Sequence, residues 1–261
     1  YEQGFGDTIN FIRLVPRLQE MGATVKFKSQ PEIVTLLKEN YDFEIIDKRV
    51  PDKDISYDYH ISLLSLPYMF NMTHETIPYT DKYLKANPKK AKYFKDKYFN
   101  TDKIKVGLFW QGSKTFGNDK ERSSPLANFL RFSDLAGIQY YSFQKGYGEE
   151  QIDSLPYTMN ILKLGDEFKN FADTCAALDN IDLLITVDSA VGHLAGALGK
   201  KVILLLCYIP DWRWFNESDK NYWYDNTKIF KQIKAKDWEE VFGRVHQHLK
   251  EDFLPHFNKD T

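Results

Sequence analysis

The stretch Leu183–Leu198, LLITVDSAVGHLAGAL, constrains this chain more than any other. Leu183 to Val187 is an apolar, β-branched run of strand length. Asp188 and Ser189 follow at once and are ordinary helix caps. Ala190 to Leu198 is small, apolar and helix-forming, and Gly199 stops it. The result is a strand–turn–helix unit whose helix N-terminus faces the carboxyl edge of a sheet. Such a terminus carries unpaired N–H groups and partial positive charge, which suits a phosphate. Asp188 and Ser189 sit at its mouth, with His193 one turn further on. Ala190, Gly192, Ala195, Gly196 and Ala197 let a ligand or a neighbouring backbone come close. A plainer reading stays open: Asp188 as a cap, and His193 as a packed core histidine.

Composition bounds the possibilities. At 261 residues the chain has room for two domains. A formal net charge of −2 argues against a general electrostatic grip on nucleic acid. Cys175 and Cys207 are far apart in apolar surroundings, which suggests neither a disulfide framework nor a metal motif and points to the cytoplasm. No apolar run approaches membrane-spanning length and no signal peptide is visible. The chain opens at Tyr1-Glu2-Gln3-Gly4, as if in the middle of a unit, and reads as a fragment of a longer protein.

Taken in order, Tyr1–Asp7 reads as a loop leaving a strand upstream, with Gly4 and Gly6 as flexible positions. Thr8–Met21 reads as a helix, with Pro16 as its expected kink point. Strands follow at 23–28, 43–46 and 59–64, with a helix from Pro31 to Glu39. Residues 77–100, rich in Lys and Tyr, read as an inter-domain linker, and its Lys89–Lys92 run as a solvated face. The second half opens with the strand 104–110, which runs into the polar loop Gln111-Gly112-Ser113. Loops of this kind, at the carboxyl ends of open α/β sheets, bind ligands. Pro125 begins a helix, and strands are expected at 139–144, 161–165, 201–206 and 228–232. A helix at 170–178, an aromatic loop at 210–215 and a final amphipathic helix at 237–249 complete the pattern. The alternation gives two open α/β domains, 1–100 and 101–261, across a cleft.

With these residues laid out, the chain resembles the glycosyltransferases of family 9, the heptosyltransferase type, in the version that often follows tetratricopeptide repeats in bacteria. The resemblance is carried by Glu2-Gln3-Gly4-Phe5-Gly6-Asp7-Thr8, Pro16-x-Leu18 with Gly22-Ala23, and Leu63-Leu64-Ser65-Leu66-Pro67. It continues in Gly107–Gly112, Asn118-Asp119 with Arg122-Ser123, Phe171-Ala172-Asp173-Thr174, Val187–Ala197 and Pro210-Asp211-Trp212-Arg213-Trp214. It implies a GT-B fold, with the acceptor on the first domain and a nucleotide-diphosphate sugar on the second. The first strand of the first domain would lie upstream of Tyr1, so that domain is read as truncated.

The resemblance also implies roles. Asp7 would be the general base in an inverting transfer, with Gly4, Gly6 and Thr8 forming the acceptor-side loop. Asp188 would bind sugar hydroxyls, Ser189, Ala190, Val191 and Gly192 would meet the diphosphate, and His193 would lie near the phosphates or brace the loop. Lys114 and Arg122 are candidate basic partners of the diphosphate. Trp110, Gln111 and Gly112 would line the cleft floor, with Gln144 beside them, and Asp211–Trp214 would close over the donor. Asp173 and Thr174 would either reach the nucleotide or serve the start of their helix. No metal or cofactor is expected, the sugar nucleotide (ADP-heptose by the family's name) being the co-substrate. A glycan, lipid or protein would accept the sugar, and tetratricopeptide repeats would lie upstream. Two other readings compete: a non-catalytic sugar-nucleotide-binding or assembly module, and a sugar-nucleotide epimerase.

Overall fold

The computed structural model describes residues 2–114, 117, 119–155, 159–215 and 221–257. Tyr1 and Asn118, both part of the motifs above, lie outside the described residues. The first half contains α1 (Phe5–Phe11), α2 (Pro16–Glu20), β1 (Lys26–Ser29), α3 (Pro31–Lys38), β2 (Glu44–Asp47), α4 (Leu66–Met69) and α5 (Pro88–Tyr98). The second contains β3 (Ile104–Phe109), α6 (Asp119–Arg122), β4 (Ile138–Ser142), β5 (Ile161–Lys163), α7 (Phe171–Leu178), β6 (Leu183–Val187), α8 (Ala190–Ala197), β7 (Val202–Leu206), β8 (Thr227–Lys231), α9 (Trp238–His248) and α10 (Leu254–Phe257).

β1 and β2 form a two-stranded parallel pair. The other six strands make one parallel sheet in the order β5-β4-β3-β6-β7-β8. Relabelled by their own succession, that order is the doubly wound 3-2-1-4-5-6 of dinucleotide-binding sheets. The chain reverses direction across the sheet between β3 and β6, and ligands in such sheets bind in the crevice there.

Both faces of the central strands β6 and β7 are buried, so these two are near-continuous apolar runs rather than alternating ones. Leu183, Ile185, Val187, Ile203 and Leu205 pack with Phe129, Phe132, Phe242 and Val245 on one face. Leu184, Val202, Leu204 and Leu206 join a second cluster on the other, which runs through α7 and α8 into Ile9, Ile12, Leu36 and Phe94 of the first half. The first half therefore shares its core with the second, at roughly 1.5–3 kcal/mol for each large apolar side chain buried.

Several local expectations are corrected. The first helix begins at Phe5 rather than Thr8, because the Asp7 carboxylate accepts the Gly4 N–H at 2.9 Å and closes the first turn. It breaks into a tight 3₁₀ turn at Ile12–Leu14 before α2. Pro16 lacks an N–H and its ring would collide with the Ile12 carbonyl of a continuous α-helix. Residues 59–62 form no strand, and Leu63–Ser65 is a 3₁₀ turn. The alternation of Tyr59, Ile61 and Leu63 mimics a strand, but no neighbouring strand pairs with it among the described residues, and Tyr59 is 94% exposed. Pro125 is followed by a 3₁₀ helix, Leu126–Phe132, not an α-helix. The stretch 77–100 carries α5, which packs on α7, with Lys90 bound to Asp173 at 2.9 Å.

Candidate functional site

The cleft lies at the reversal point between β3 and β6 and has a volume of about 1120 Å³. Both halves line it: Gln3, Asp7 and Gln30 from the first, and Arg122, Asp188 and Arg213 from the second.

The loop after β3 is held from beneath. Gln144 accepts the Gln111 N–H at 3.1 Å through Oε1 and donates Nε2 to the Gln111 and Tyr147 carbonyls at 3.0 and 2.7 Å. Its amide is thereby committed to the backbone. Buried Asp119 accepts from Gln111 Nε2 at 2.7 Å, Ser123 Oγ at 3.0 Å and Arg122 Nε at 3.2 Å. The Gly112 N–H goes to Ser123 Oγ at 2.9 Å. A Cβ on Gly112 would run into Asp119 and Arg122, so only glycine lets this loop lie so close. Lys114 opens on the cleft with its ammonium 3.9 Å from the centre of the Tyr147 ring. Trp110 corrects the reading of the cleft floor. It is fully buried in the core beneath, with its indole N–H donated to the Gly148 carbonyl at 3.0 Å.

The opening stretch folds as read, and its cap is Ser189. Ser189 Oγ accepts the Gly192 N–H at 3.1 Å and lies 2.9 Å from Thr186 Oγ1, which donates to the Val187 carbonyl. Ser189 is thus spent on its own helix, while Ala190 and Val191, with no carbonyl a turn behind them, present N–H groups at the mouth. Gly192 is a correction: it packs on Thr186, off the cleft wall, and its N–H is already capped. Asp188 is left facing the cleft. Burial pushes its carboxyl up to about 6, opposed first by the Trp214 indole and then by Arg122.

His193, 4% exposed, stacks on Trp214 with ring centres 5.1 Å apart. Its Nδ1 lies 2.9 Å from Tyr224 Oη. Burial, with Arg213 and Arg13 nearby, holds its pKa down to about 3, so the ring is neutral. A Cβ on Gly6 would come within 2.9 Å of His193 Cδ2, so the first-half loop rests on this ring.

Asp7 projects from the first turn of α1 and forms an ion pair with Arg213 of the second half. Arg213 also donates to Asp211 at 2.6 Å and to Gln3 Oε1 at 3.2 Å, and it is 6% exposed. Burial raises the Asp7 carboxyl, and Arg213 pulls it back only in part. Two non-glycine residues flank this contact in the left-handed region, Gln3 (φ 54°) and Phe215 (φ 47°). Strain of that kind, of order 1–3 kcal/mol each, gathers at functional sites. Thr8 is a further correction: it is fully buried behind the cleft wall, where its hydroxyl donates at 2.9 Å to Gln30, which does line the cleft. Gly4 and Gly6 do line the cleft, as does Thr174. Asp173 turns instead to Lys90 and to the Lys169 N–H, serving the start of α7.

Sequence reasoning named the Asp211–Trp214 loop but not Arg213 as the partner of Asp7. The one signal was a cation between two tryptophans, and the two residues are 206 positions apart. Gln3 and Tyr224 were likewise missed. Among the described residues no group of three His, Cys, Asp or Glu side chains converges, and no helix is long and apolar enough to cross a membrane.

No family model matches the chain. Protein FlbA of Caulobacter vibrioides is 23% identical over 96% of the chain, and the chain spans 45% of that protein's length. Three solved structures superpose over nearly the whole chain. A glycosyl transferase family 9 protein from Veillonella parvula gives a TM-score of 0.67 at 13% identity, covering 98% of this chain and 96% of that one. The E. coli ADP-heptose lps heptosyltransferase II gives 0.61 at 12% identity, covering 97% and 95%. E. coli heptosyltransferase WaaC, solved with ADP-2-deoxy-2-fluoro heptose, gives 0.56 at 13%, covering 96% and 97%. The chain therefore has the α/β, GT-B type fold of these glycosyltransferases, with a parallel sheet.

Proposed function

We propose that this chain is a glycosyltransferase module of the heptosyltransferase type, which takes a nucleotide-diphosphate sugar in its cleft and transfers the sugar with inversion. The observation that carries this reading is the meeting of two carboxylates from opposite halves, Asp7 and Asp188, on one cleft beside the N-terminus of α8. Residues 1–100 would serve the acceptor and 101–261 the donor.

The acceptor oxygen attacks the anomeric carbon as the bond from that carbon to the diphosphate breaks, and the acceptor's proton passes to Asp7. Burial makes Asp7 a better base than an exposed carboxylate. The Ala190 and Val191 N–H groups, Arg122 and Lys114 take up the charge of the departing diphosphate. Asp188 accepts hydrogen bonds from sugar hydroxyls. With these groups neutralising the diphosphate, transfer proceeds without a metal ion, and full activity in excess chelator is the expected result. ADP-heptose is the first donor to try, because the similar WaaC structure holds an ADP-heptose analogue. Glycans, lipids and proteins are the acceptor classes to screen. Upstream tetratricopeptide repeats and a cytoplasmic setting belong to the same proposal, Cys175 and Cys207 being free and buried.

A second reading draws on the Asp7–Arg213 pair. To take a proton Asp7 must give up its ion pair with the buried Arg213 guanidinium, and a pair kept intact favours a module that binds a sugar nucleotide without turning it over. Calorimetric titration with ADP-, GDP- and UDP-sugars, followed by a transfer assay with Asp7→Asn, separates the two. Binding with turnover that depends on Asp7 supports the enzyme, and binding without turnover supports the module. Silence across the panel from folded protein sinks both.

A further inference from the structure

Arg13 is a buried cation, 1% exposed, with no carboxylate beside it among the described residues. Its Nε donates to the Asn10 carbonyl at 2.9 Å and its Nη1 to the Trp223 carbonyl at 2.8 Å. Its Nη2 donates to Asn10 Oδ1 at 2.9 Å and to Tyr83 Oη at 3.0 Å. The guanidinium also lies 4.2 Å from the Tyr83 ring centre and 4.8 Å from that of Tyr224. Burying such a charge is costly unless its donors are satisfied, and here they meet carbonyls, an amide oxygen and aromatic faces.

The protons of this cluster can be followed outward. A cation accepts nothing, so the Asn10 group facing Arg13 is Oδ1, not the amide nitrogen. Tyr224 Oη lies 3.1 Å from that same Oδ1. Two acceptors so close need a proton between them, and only Tyr224 can supply it. Tyr83 has already given its own hydrogen to the Ile9 carbonyl at 2.8 Å. The Tyr224 hydroxyl is thereby spent as a donor, and burial keeps it protonated. Its contact with His193 Nδ1 at 2.9 Å then runs the other way: Nδ1 carries the hydrogen and donates it. His193 Nε2 has no partner among the described residues, and His193 lines the cleft against Gly6.

We infer that Arg13 is a positioning residue which, through Asn10 and Tyr224, fixes His193 as the Nδ1–H tautomer. The cleft then meets a bare Nε2 that accepts a hydrogen bond from a hydroxyl and offers nothing to an anion. Of the two expectations for His193, near the phosphates or bracing the loop, this inference keeps the bracing contact with Gly6 and puts a hydroxyl where the phosphates were expected. That this hydroxyl belongs to a sugar rests on the function proposed above; the tautomer does not.

Long-range ¹H–¹⁵N correlation spectra of the full chain, imidazole-labelled and without ligand, distinguish a protonated ring nitrogen from a bare one. Protonated Nδ1 and bare Nε2 at neutral pH are expected for His193, and the reverse would overturn the inference. Tyr224→Phe keeps the Arg13 cluster but removes the oxygen that fixes the ring, so the Nε2–H form should gain population; an unchanged spectrum would count against the relay. Arg13→Met should do the same at longer range wherever it folds. Added inorganic pyrophosphate should leave the ring neutral and Nε2 bare, whereas a doubly protonated ring would mean an anion contact and would sink the hydroxyl role. Failure of every nucleotide sugar to bind would count against the proposed function and leave the tautomer standing.

Discussion

The two sides of the cleft each offer a carboxylate at the start of a helix, and they treat it in opposite ways. Asp7 sits inside the first turn of α1, where it accepts the Gly4 N–H and pairs with Arg213. Asp188 sits one residue before the cap of α8, and Ser189 does the capping. Burial raises both. Asp7 is ion-paired with the Arg213 guanidinium, whereas the carboxyl of Asp188 rests near 6, its burial opposed by the Trp214 indole and more weakly by Arg122 and Arg213. The contrast teaches that a helix start need not consume its carboxylate. The cap sets whether the neighbouring acid belongs to the fold or to the cleft.

That contrast can be broken most sharply at Asp7. Asp7→Asn keeps the shape and removes the base, so transfer should fall by about 10²–10⁴-fold, the usual worth of a general base, while donor affinity in calorimetry stays within about twofold. An equal loss in binding and turnover would assign Asp7 to the donor site instead. Arg213→Met comes next. It leaves Asp7 buried without its counter-charge, which should cost roughly 3–5 kcal/mol of stability in urea unfolding at pH 7. Much of that loss should return in the double variant with Asp7→Asn.

Asp188 carries the opposite sign. A carboxyl raised from 3.8 to about 6 favours the folded state only while it is protonated, so stability falls as pH rises through that window. Asp188→Asn should therefore stabilise the protein above pH 6, by about 3 kcal/mol at most, and have little effect at pH 4. His193 slopes the other way. Lowered from 6.5 to about 3, it removes stability as pH falls from about 6.5 toward 3, and His193→Gln should flatten that acid-side loss. Gly6→Ala should show the smallest effect, about 1–3 kcal/mol of destabilisation in thermal melts, because its Cβ would press on the His193 ring.

How much of this was legible in the sequence differed by element. Leu183–Leu198 was plain because an apolar run, a capping pair and a small-residue helix all agree at short range, and the structure keeps the strand, the helix and Ser189 of the pair as its cap. Asp7, Asp188 and His193 were named from motifs and do share the cleft. Trp110 and Thr8 sit in the same motifs but point into the core, since neighbours along a strand or helix face different sides. The strand read at 59–64 failed for want of a partner, and partners are long-range facts. So is the Asp7–Arg213 pair, which no window along the chain contains. The proton path from Arg13 to His193 was hidden for the same reason, because it joins residues 10, 13, 193 and 224.

The central claim is that this cleft holds a nucleotide-diphosphate sugar with Asp188 on its sugar. Calorimetric titration of the wild-type chain and Asp188→Ala with ADP-, GDP- and UDP-sugars tests it most directly. The account predicts specific binding of one donor class by the wild type and at least about tenfold weaker binding by the variant, the 1.4 kcal/mol or more of a lost charged hydrogen bond. A folded wild type that binds none of them, or a variant that binds equally well, would contradict it.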